Sequence, residues 1–309
     1  MTGYLGIDMG GTTTRWALVD ASGAELARGH ARGANGHLFA EASRRQFESA
    51  VSEIGAAVSG YTVAGVEAGV TGIGRESAIL AVRIIAGATR ADATRICIRD
   101  DIEEAHRLIF PAGGGHLIAA GSGSIGVHVD RNGDVVRVGG RGMLIDDAGS
   151  GVWIALRAID MVFREIDLYG RPEESAILGR HLFKAIGSET WDGVRAFVYG
   201  SERGRIGELA QAVGEAAEAG CPQAMGLLGQ AGAELARLAR ALIARCGPAP
   251  VAIVGRVPAI SPIIAMRIGD EMPGVDIDYP SIDLALEAAR QAARNGLVPA
   301  APQGTQDHG

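Results

Sequence analysis

Tyr4 to Asp20 reads YLGIDMGGTTTRWALVD, and the rest of the chain is organised around this stretch. An apolar run from Tyr4 to Ile7 leads to a lone acid, Asp8, then to a Gly-Gly-Thr-Thr-Thr turn and a second run from Arg15 to Asp20. Gly10 and Gly11 can take backbone angles closed to other residues and let a ligand approach the main chain. The amides and hydroxyls of Gly10, Gly11, Thr12 and Thr13 suit phosphate oxygens, and Asp8 beside them suits a hydrated magnesium ion. An ordinary Gly-rich hairpin would carry the same letters.

A second copy favours the phosphate reading. His116 to Gly140, HLIAAGSGSIGVHVDRNGDVVRVGG, repeats the plan of apolar strand, Gly-Ser-Gly-Ser turn (Gly121, Ser122, Gly123, Ser124), strand, Asn-Gly turn and strand. The first copy continues likewise through a turn at Gly23 into a third strand, AELARGHA; Gly11 to Gly23 and Gly121 to Gly133 each span 12 positions (23 − 11 and 133 − 121). Two such units predict a duplicated chain whose halves each aim a Gly/hydroxyl hairpin at a shared cleft, where a pair of hairpins can grip a polyphosphate.

A chain of 309 residues is long enough for about two domains and a sizeable core. The net charge of −7, with no Lys/Arg run, argues against a nucleic-acid partner. No cationic segment precedes an apolar run at the N-terminus, and no stretch of about 18 apolar residues predicts a membrane span. Cys97, Cys221 and Cys246 are odd in number and lack metal spacing, which suggests reduced thiols in a cytoplasmic protein. Cys97, inside an apolar strand, reads as buried packing. The histidines are scattered without an HExxH-type pair, so a zinc site is not expected.

Periodicity predicts a helix from about Glu41 to Ser59, a strand from Thr62 to Val70 ending in the VTGIGRES loop, and a helix from about Glu76 to Ala86. The strand TRICIR then ends at Asp100-Asp101, followed by the helix DIEEAHRLIF. Strands alternating with helices indicate an α/β layer with a parallel component. In the second unit we expect a helix from about Gly149 to Leu168 and helical segments from Ser175 to Glu218 broken near Gly187 and Gly200. Leu227, Leu228, Ala231, Leu235, Leu238 and Leu242 recur at helical spacing between Pro222 and Arg245. The strand PVAIVG, the helix SPIIAMRIGDEM, a strand at Val275 to Tyr279 and a helix from Ile282 to Asn295 close the chain. The expected division is 1–112 and 113–298, with the last helix free to pack back on the first domain, and a disordered tail over 299–309.

Asp100 and Asp101 stand at the carboxyl end of a buried strand, where open α/β sheets bind ligands. A carboxylate there can take the proton of a hydroxyl that attacks a phosphoryl group; Asp101 as helix cap, with Glu103 and Glu104 meeting the dipole, is an equal alternative. Asp146 and Asp147 precede a Gly-rich loop and suit either the vicinal hydroxyls of a polyol or a capping role. Asn35, in the GANGH loop, is a ligand contact or a turn asparagine. Gly255 lies just beyond a buried strand, where adenine or ribose can meet bare backbone. His106 reads as a polar helix residue. Two carboxylates also serve glycosidases, but those need no pair of phosphate hairpins. No GxSxG elbow appears, and GSGSIG lacks the helix a Rossmann fingerprint requires.

GIDMGGTTTRWALVD, IRDDIEEAH, AAGSGSIG, DDAGSGVWIA and FVYGSERGRIGELAQAVGEAAEAG, in that order, resemble the N-acetylglucosamine/glucosamine kinase branch of the BadF/BadG/BcrA/BcrD ATPase family, in the sugar kinase, Hsp70 and actin superfamily. The resemblance runs from residue 4 to about 297. It implies two actin-like (ribonuclease H-like) α/β domains around a central cleft that binds ATP with Mg2+ and a sugar. It places Asp8 near magnesium, Gly10 to Thr13 and Gly121 to Ser124 on the phosphates, and Gly255 in the adenosine motif. It makes Asp101 the base for the sugar 6-hydroxyl, and Asn35 and Asp147 further sugar contacts.

Three departures stand out. Asp146-Asp147-Ala148 replaces Gly-Asp-Glu, Arg256 replaces the second glycine of the adenosine motif, and Asp283 to Ala285 replaces the Gly-Ala opening the last helix. The resemblance also carries two rivals, an ATPase that activates a dehydratase or reductase and a sugar-sensing regulator with weakened turnover. Relatives of this kind are often dimers, so a homodimer is an option that no surface stripe here derives.

Overall fold

Side chains alternate across a strand, and β1 (Thr2–Met9) uses both faces. Leu5, Ile7 and Met9 join a core with Phe47, Val51 and Ile54 of α1 (Glu41–Ala57). Tyr4 joins the alanines of a helix at the far end of the chain. The computed structural model describes residues 1–297. They divide into two compact units, Met1–Leu108 with the described residues from Ile282 on, and Ile109–Ser281.

The first unit holds β1, β2 (Thr13–Val19), β3 (Glu25–Arg32), α1, β4 (Thr62–Val70), α2 (Arg75–Thr89), β5 (Ile96–Asp100) and α3 (Asp101–Ile109). Its sheet runs β3-β2-β1-β4-β5. β1 and β2 pair antiparallel, as do β2 and β3, whereas β4 lies parallel to both β1 and β5.

The second unit holds β6 (His116–Ala120), β7 (Ser124–Val129), β8 (Val135–Gly139), α4 (Gly151–Tyr169), α5 (Ala176–Ile186), α6 (Trp191–Gly200), α7 (Arg203–Glu208), α8 (Ala210–Glu218), α9 (Pro222–Cys246), β9 (Val251–Val254), α10 (Pro262–Glu271) and β10 (Ile277–Asp278). Its sheet runs β10-β9-β6-β7-β8 with the same pairing senses. The duplicated α/β plan read from the sequence is present, strand for strand. The α9 leucine stripe is buried in the second unit's core.

The last helix, α11 (Leu284–Leu297), belongs to the first unit and covers β1, β2 and β4. Its buried alanines are short enough for close packing, and Gly6 completes the fit: a Cβ there would strike the backbone of Ala285 and Ala289.

Some boundaries differ from expectation for visible reasons. α4 begins at Gly151, not Gly149, because Gly149 turns at φ +83° and the Ser150 hydroxyl caps the helix by accepting from Trp153 N at 3.2 Å. β10 shrinks to two residues at a sheet edge. No described helix is long and apolar enough to cross a membrane. The tail expected over 299–309 lies outside the described residues.

Candidate functional site

In the first unit the expected residues converge at the carboxyl ends of β1, β4 and β5. The Gly10–Thr13 turn closes with Gly10 N donating to Thr13 O at 3.1 Å. Gly11, Thr12 and Thr13 are exposed. Contrary to the sequence expectation, neither Gly10 nor Gly11 uses a positive φ. A Cβ on Gly11 would meet no atom within 4 Å, so packing does not explain this glycine either.

The loop that carries Asn35 is tied to this turn. Ala34 N donates to Gly10 O at 3.1 Å, and Gly36 N donates to Thr71 O at 2.8 Å. Asn35 Oδ1 accepts from His37 N at 3.0 Å, an Asx turn that fixes the loop.

Thr71 links the same loop to Asp101. Its hydroxyl lies 2.6 Å from Asp101 Oδ2 and 3.1 Å from Met9 O. One O–H cannot serve both acceptors, and the shorter contact, to a carboxylate, is the stronger. Asp101 Oδ1 also accepts from Ile102 N at 2.9 Å; Asp101 is itself the first residue of α3, and this bond to the next amide is not the N-cap bond, to the second or third helical amide, of the capping alternative. Burial pushes the Asp101 carboxyl above its ordinary value, the Thr71 hydroxyl pulls it back, and the nearby charge of Asp8 raises it again. Burial likewise raises Asp8, partly offset by Arg15 at 3.6 Å. A small pocket is lined by Asp8, Asp101 and Glu104 together with Leu284.

Behind this edge lies a charged cluster that sequence reading missed. Arg99 Nη1 pairs with Glu67 and, at 2.8 Å, with Glu104 Oε2. Asn295 Nδ2 of α11 donates to Glu67 at 3.3 Å. Burial and the like charge of Glu67 push the Glu104 carboxyl up to about 7 against the pull of Arg99. Cys97 lies here as well, only partly buried, its thiol pushed up to about 12 by burial and by Glu67. Its neighbours are therefore charged groups, not the apolar packing expected.

In the second unit the turn at Gly121–Gly123 is fastened on several sides. Gly121 N donates to Gly123 O at 2.9 Å, and Gly121 O accepts from Gly151 N at 2.8 Å. Ser124 Oγ donates to Ala148 O at 2.7 Å, so the turn is tied to the loop before α4. The paired acids of that loop part company: Asp146 faces Arg141 and Arg237 at 3.4 and 3.2 Å, while Asp147 turns inward to Arg203. Burial raises the Asp147 carboxyl; Arg203 and the backbone amides of Gly142 and Ser124 lower it. Gly255 takes φ +106° against Ala120 O, a conformation and a clearance only glycine allows. Arg256 beside it is exposed.

Thr71 and Arg203 were not singled out from the sequence. Thr71 at least had a signal, as a hydroxyl directly after a strand end. Arg203 had none, since Asp147 precedes it by 56 positions.

The model of the BadF/BadG/BcrA/BcrD ATPase family matches residues 5–278. The chain belongs to that family. Among solved structures, this BadF/BadG/BcrA/BcrD ATPase family member resembles a candidate N-acetylglucosamine kinase from Chromobacterium violaceum, with 23% identity and a TM-score of 0.68 over 93% of this chain and 98% of that one. A candidate N-acetylglucosamine kinase from Porphyromonas gingivalis gives 16% identity and a TM-score of 0.73 over 95% and 100%. A ROK family glucokinase from Streptomyces griseus, in complex with glucose and AMPPNP, gives 15% and 0.56 over 94% and 99%. Curated proteins give no match. At these identities the structures speak to the fold, which for this family member is the two-unit α/β fold of sugar kinases that the sequence predicted.

Proposed function

We propose that the chain is an ATP-dependent sugar kinase that transfers the terminal phosphoryl group of ATP to a hydroxyl, O6 in our reading, of an amino sugar such as N-acetylglucosamine or glucosamine. The observation that carries it is Asp101, a largely buried strand-end carboxylate, held by Thr71, beside Asp8 and a glycine turn that packing does not require. Family membership and the fold support ATP as donor, and the two candidate N-acetylglucosamine kinases favour the amino sugar.

In this reading Gly10, Gly11, Thr12 and Thr13 offer amides and hydroxyls to phosphate oxygens, and the turn of Gly121, Ser122, Gly123 and Ser124 meets them through Ser122 and Gly123, since Gly121 N and Ser124 Oγ are used within the protein. Gly255 lies with the adenosine, and Asn35, Asp101 and Asp147 contact the sugar. Magnesium binds through one or two carboxylates, with water and substrate phosphates completing its shell. Asp8, at the end of β1 and lining the same small pocket as Asp101, is the carboxylate that would hold it. When bound, magnesium offsets charge on the phosphate oxygens.

Asp101 orients the sugar hydroxyl and takes its proton as the oxygen attacks the γ-phosphorus; the bond from phosphorus to the bridging oxygen breaks, and ADP leaves. A carboxylate raised by burial is a better proton acceptor than one in water. Positioning and electrostatics supply most of the rate.

The test is ADP release over a panel of amino sugars, hexoses and sugar acids. We expect turnover with an amino sugar, and Asp101→Asn should lower kcat by about 10²–10⁴-fold while ADP still binds. Full turnover in that variant removes Asp101 from the chemistry, and no ADP release with any sugar overturns the kinase reading.

A further inference from the structure

The turn after β6 has fewer spare donors than its glycine and serine content suggests. Gly121 N–H is used by Gly123 O, the Ser124 hydroxyl by Ala148 O, and the Ser124 amide faces Asp147. A site for a polyanion with so few remaining donors wants a cation. Arg203 supplies one: its Nη2 fills the space that a Cβ on Gly123 would need, so the guanidinium lies directly against the turn.

Asp147 fixes that guanidinium. Its side chain is 4% exposed, whereas that of Arg203 is 41% exposed, so the acid is the buried anchor and the base the presented group. Guanidinium has five N–H donors in a rigid fork. Only Nη2 meets an acceptor among the described residues, which leaves the donors of Nε and Nη1 for an incoming anion. The fork geometry matches phosphate oxygens and suits two parallel hydrogen bonds.

We propose that Arg203, held by Asp147, is a ligand-binding residue of the second turn that contacts the phosphate chain of the nucleotide. This rests on the kinase reading, adds to it a residue outside the turn itself, and moves Asp147 from the sugar contacts to the anchor of that residue. The negative charge of Asp147 offsets part of the attraction, so the effect is that of one shared cation: an affinity change of about tenfold.

Calorimetric titration of ADP and of adenosine into the wild-type protein, Arg203→Met and Arg203→Lys tests it. The expected result is an ADP affinity about tenfold weaker in Arg203→Met, partly restored in Arg203→Lys, with adenosine affinity unchanged; Arg203→Met unfolds at a lower temperature because Asp147 loses its partner, and is compared at a temperature where all three proteins are folded. Unchanged ADP affinity in Arg203→Met overturns the proposal, as does an equal loss for ADP and adenosine. If Arg203→Met does not fold, an Arg203→Lys protein that is folded and binds ADP as the wild type does, with no weakening from the lost fork, overturns it too. A wild-type protein that binds neither probe overturns the kinase reading, and this proposal with it, which is a different outcome from a variant effect that fails to appear.

Discussion

The turn after β1 and the turn after β6 occupy the same place in the same strand plan, yet they are built differently. The last pair of the first hairpin, Met9 with Thr14, encloses residues 10–13; that of the second, Ala120 with Ser124, encloses only residues 121–123. The first turn is open, and Asp8 stands two residues before it. The matching residue of β6 is Ala119, and in place of an acid the second turn has a cation laid over Gly123. The next turn along is nearly identical in the two halves. Asp20 Oδ1 accepts from Ser22 N and Ala24 N, Asp130 Oδ1 accepts from Asn132 N and Asp134 N, and Gly23 and Gly133 sit at φ +84° and +90°. What the halves share is scaffold; what only one half has is where the chemistry differs.

The largest expected effect follows from the Glu67, Arg99 and Glu104 cluster of the first unit. With its carboxyl at about 7, Glu104 keeps a proton in the folded protein that the unfolded chain, at an ordinary 4.5, releases. The contribution of Glu104 to stability is then fullest below pH 4.5 and is lost as pH rises towards 7, by a few kcal/mol at most. With the intrinsic rise of amide exchange with pH divided out, we expect the protection of the β4 and β5 amides to fall over that range while that of β6 and β7 changes little. Glu104→Gln should flatten the first unit's response. An identical slope in the variant would mean that the charge asymmetry between the units has no thermodynamic consequence.

How much of this could be read from the chain depends on how local each feature is. The strands and their duplication were legible because apolar runs and Asp/Gly turns are written within ten residues of one another. Asp8, Gly10 to Thr13, Asn35 and Asp101 were legible as candidates for the same reason, each flanking a strand end. The pairing of the two turns was read one position off. Equal spacing of 12 aligned Gly11 with Gly121, whereas the strand ends align Gly10 with Gly121, because the first turn is a residue longer. Thr71 meeting Asp101 across 30 positions, and Arg203 meeting Asp147 across 56, depend on packing that no local pattern encodes. Glu67 and Arg99 sat inside strands whose alternation carried no hint that they face each other.

A paired glycine substitution sharpens the contrast between the two turns. Gly123→Ala forces the Arg203 guanidinium away and leaves Asp147 buried without its partner, which should cost about 1–3 kcal/mol of stability. Gly11→Ala meets nothing in the protein, so its stability should stay within about 0.5 kcal/mol of wild type. Under the kinase reading the same methyl crowds the phosphates and raises the KM for ATP. Thermal unfolding and ATP titration of both variants separate the fastened turn from the open one. Equal losses of stability would show that the difference between them is only apparent.

The smallest effect concerns Thr71, which joins the open turn to the proposed base. Its O–H stabilises the ionised form of Asp101, so Thr71→Val, nearly the same in shape, should raise the carboxyl further above its ordinary 3.8. The acidic limb of the pH–rate profile then moves to higher pH. Loss of orientation lowers kcat by about tenfold, the equivalent of one hydrogen bond of about 1.4 kcal/mol to a charged group. Thr71→Ser, which keeps the hydroxyl, should restore both the limb and the rate. If valine lowers kcat without moving the limb, Thr71 supports only the Met9 and Gly36 backbone around it, and the first unit's acid titrates independently of the hydroxyl beside it.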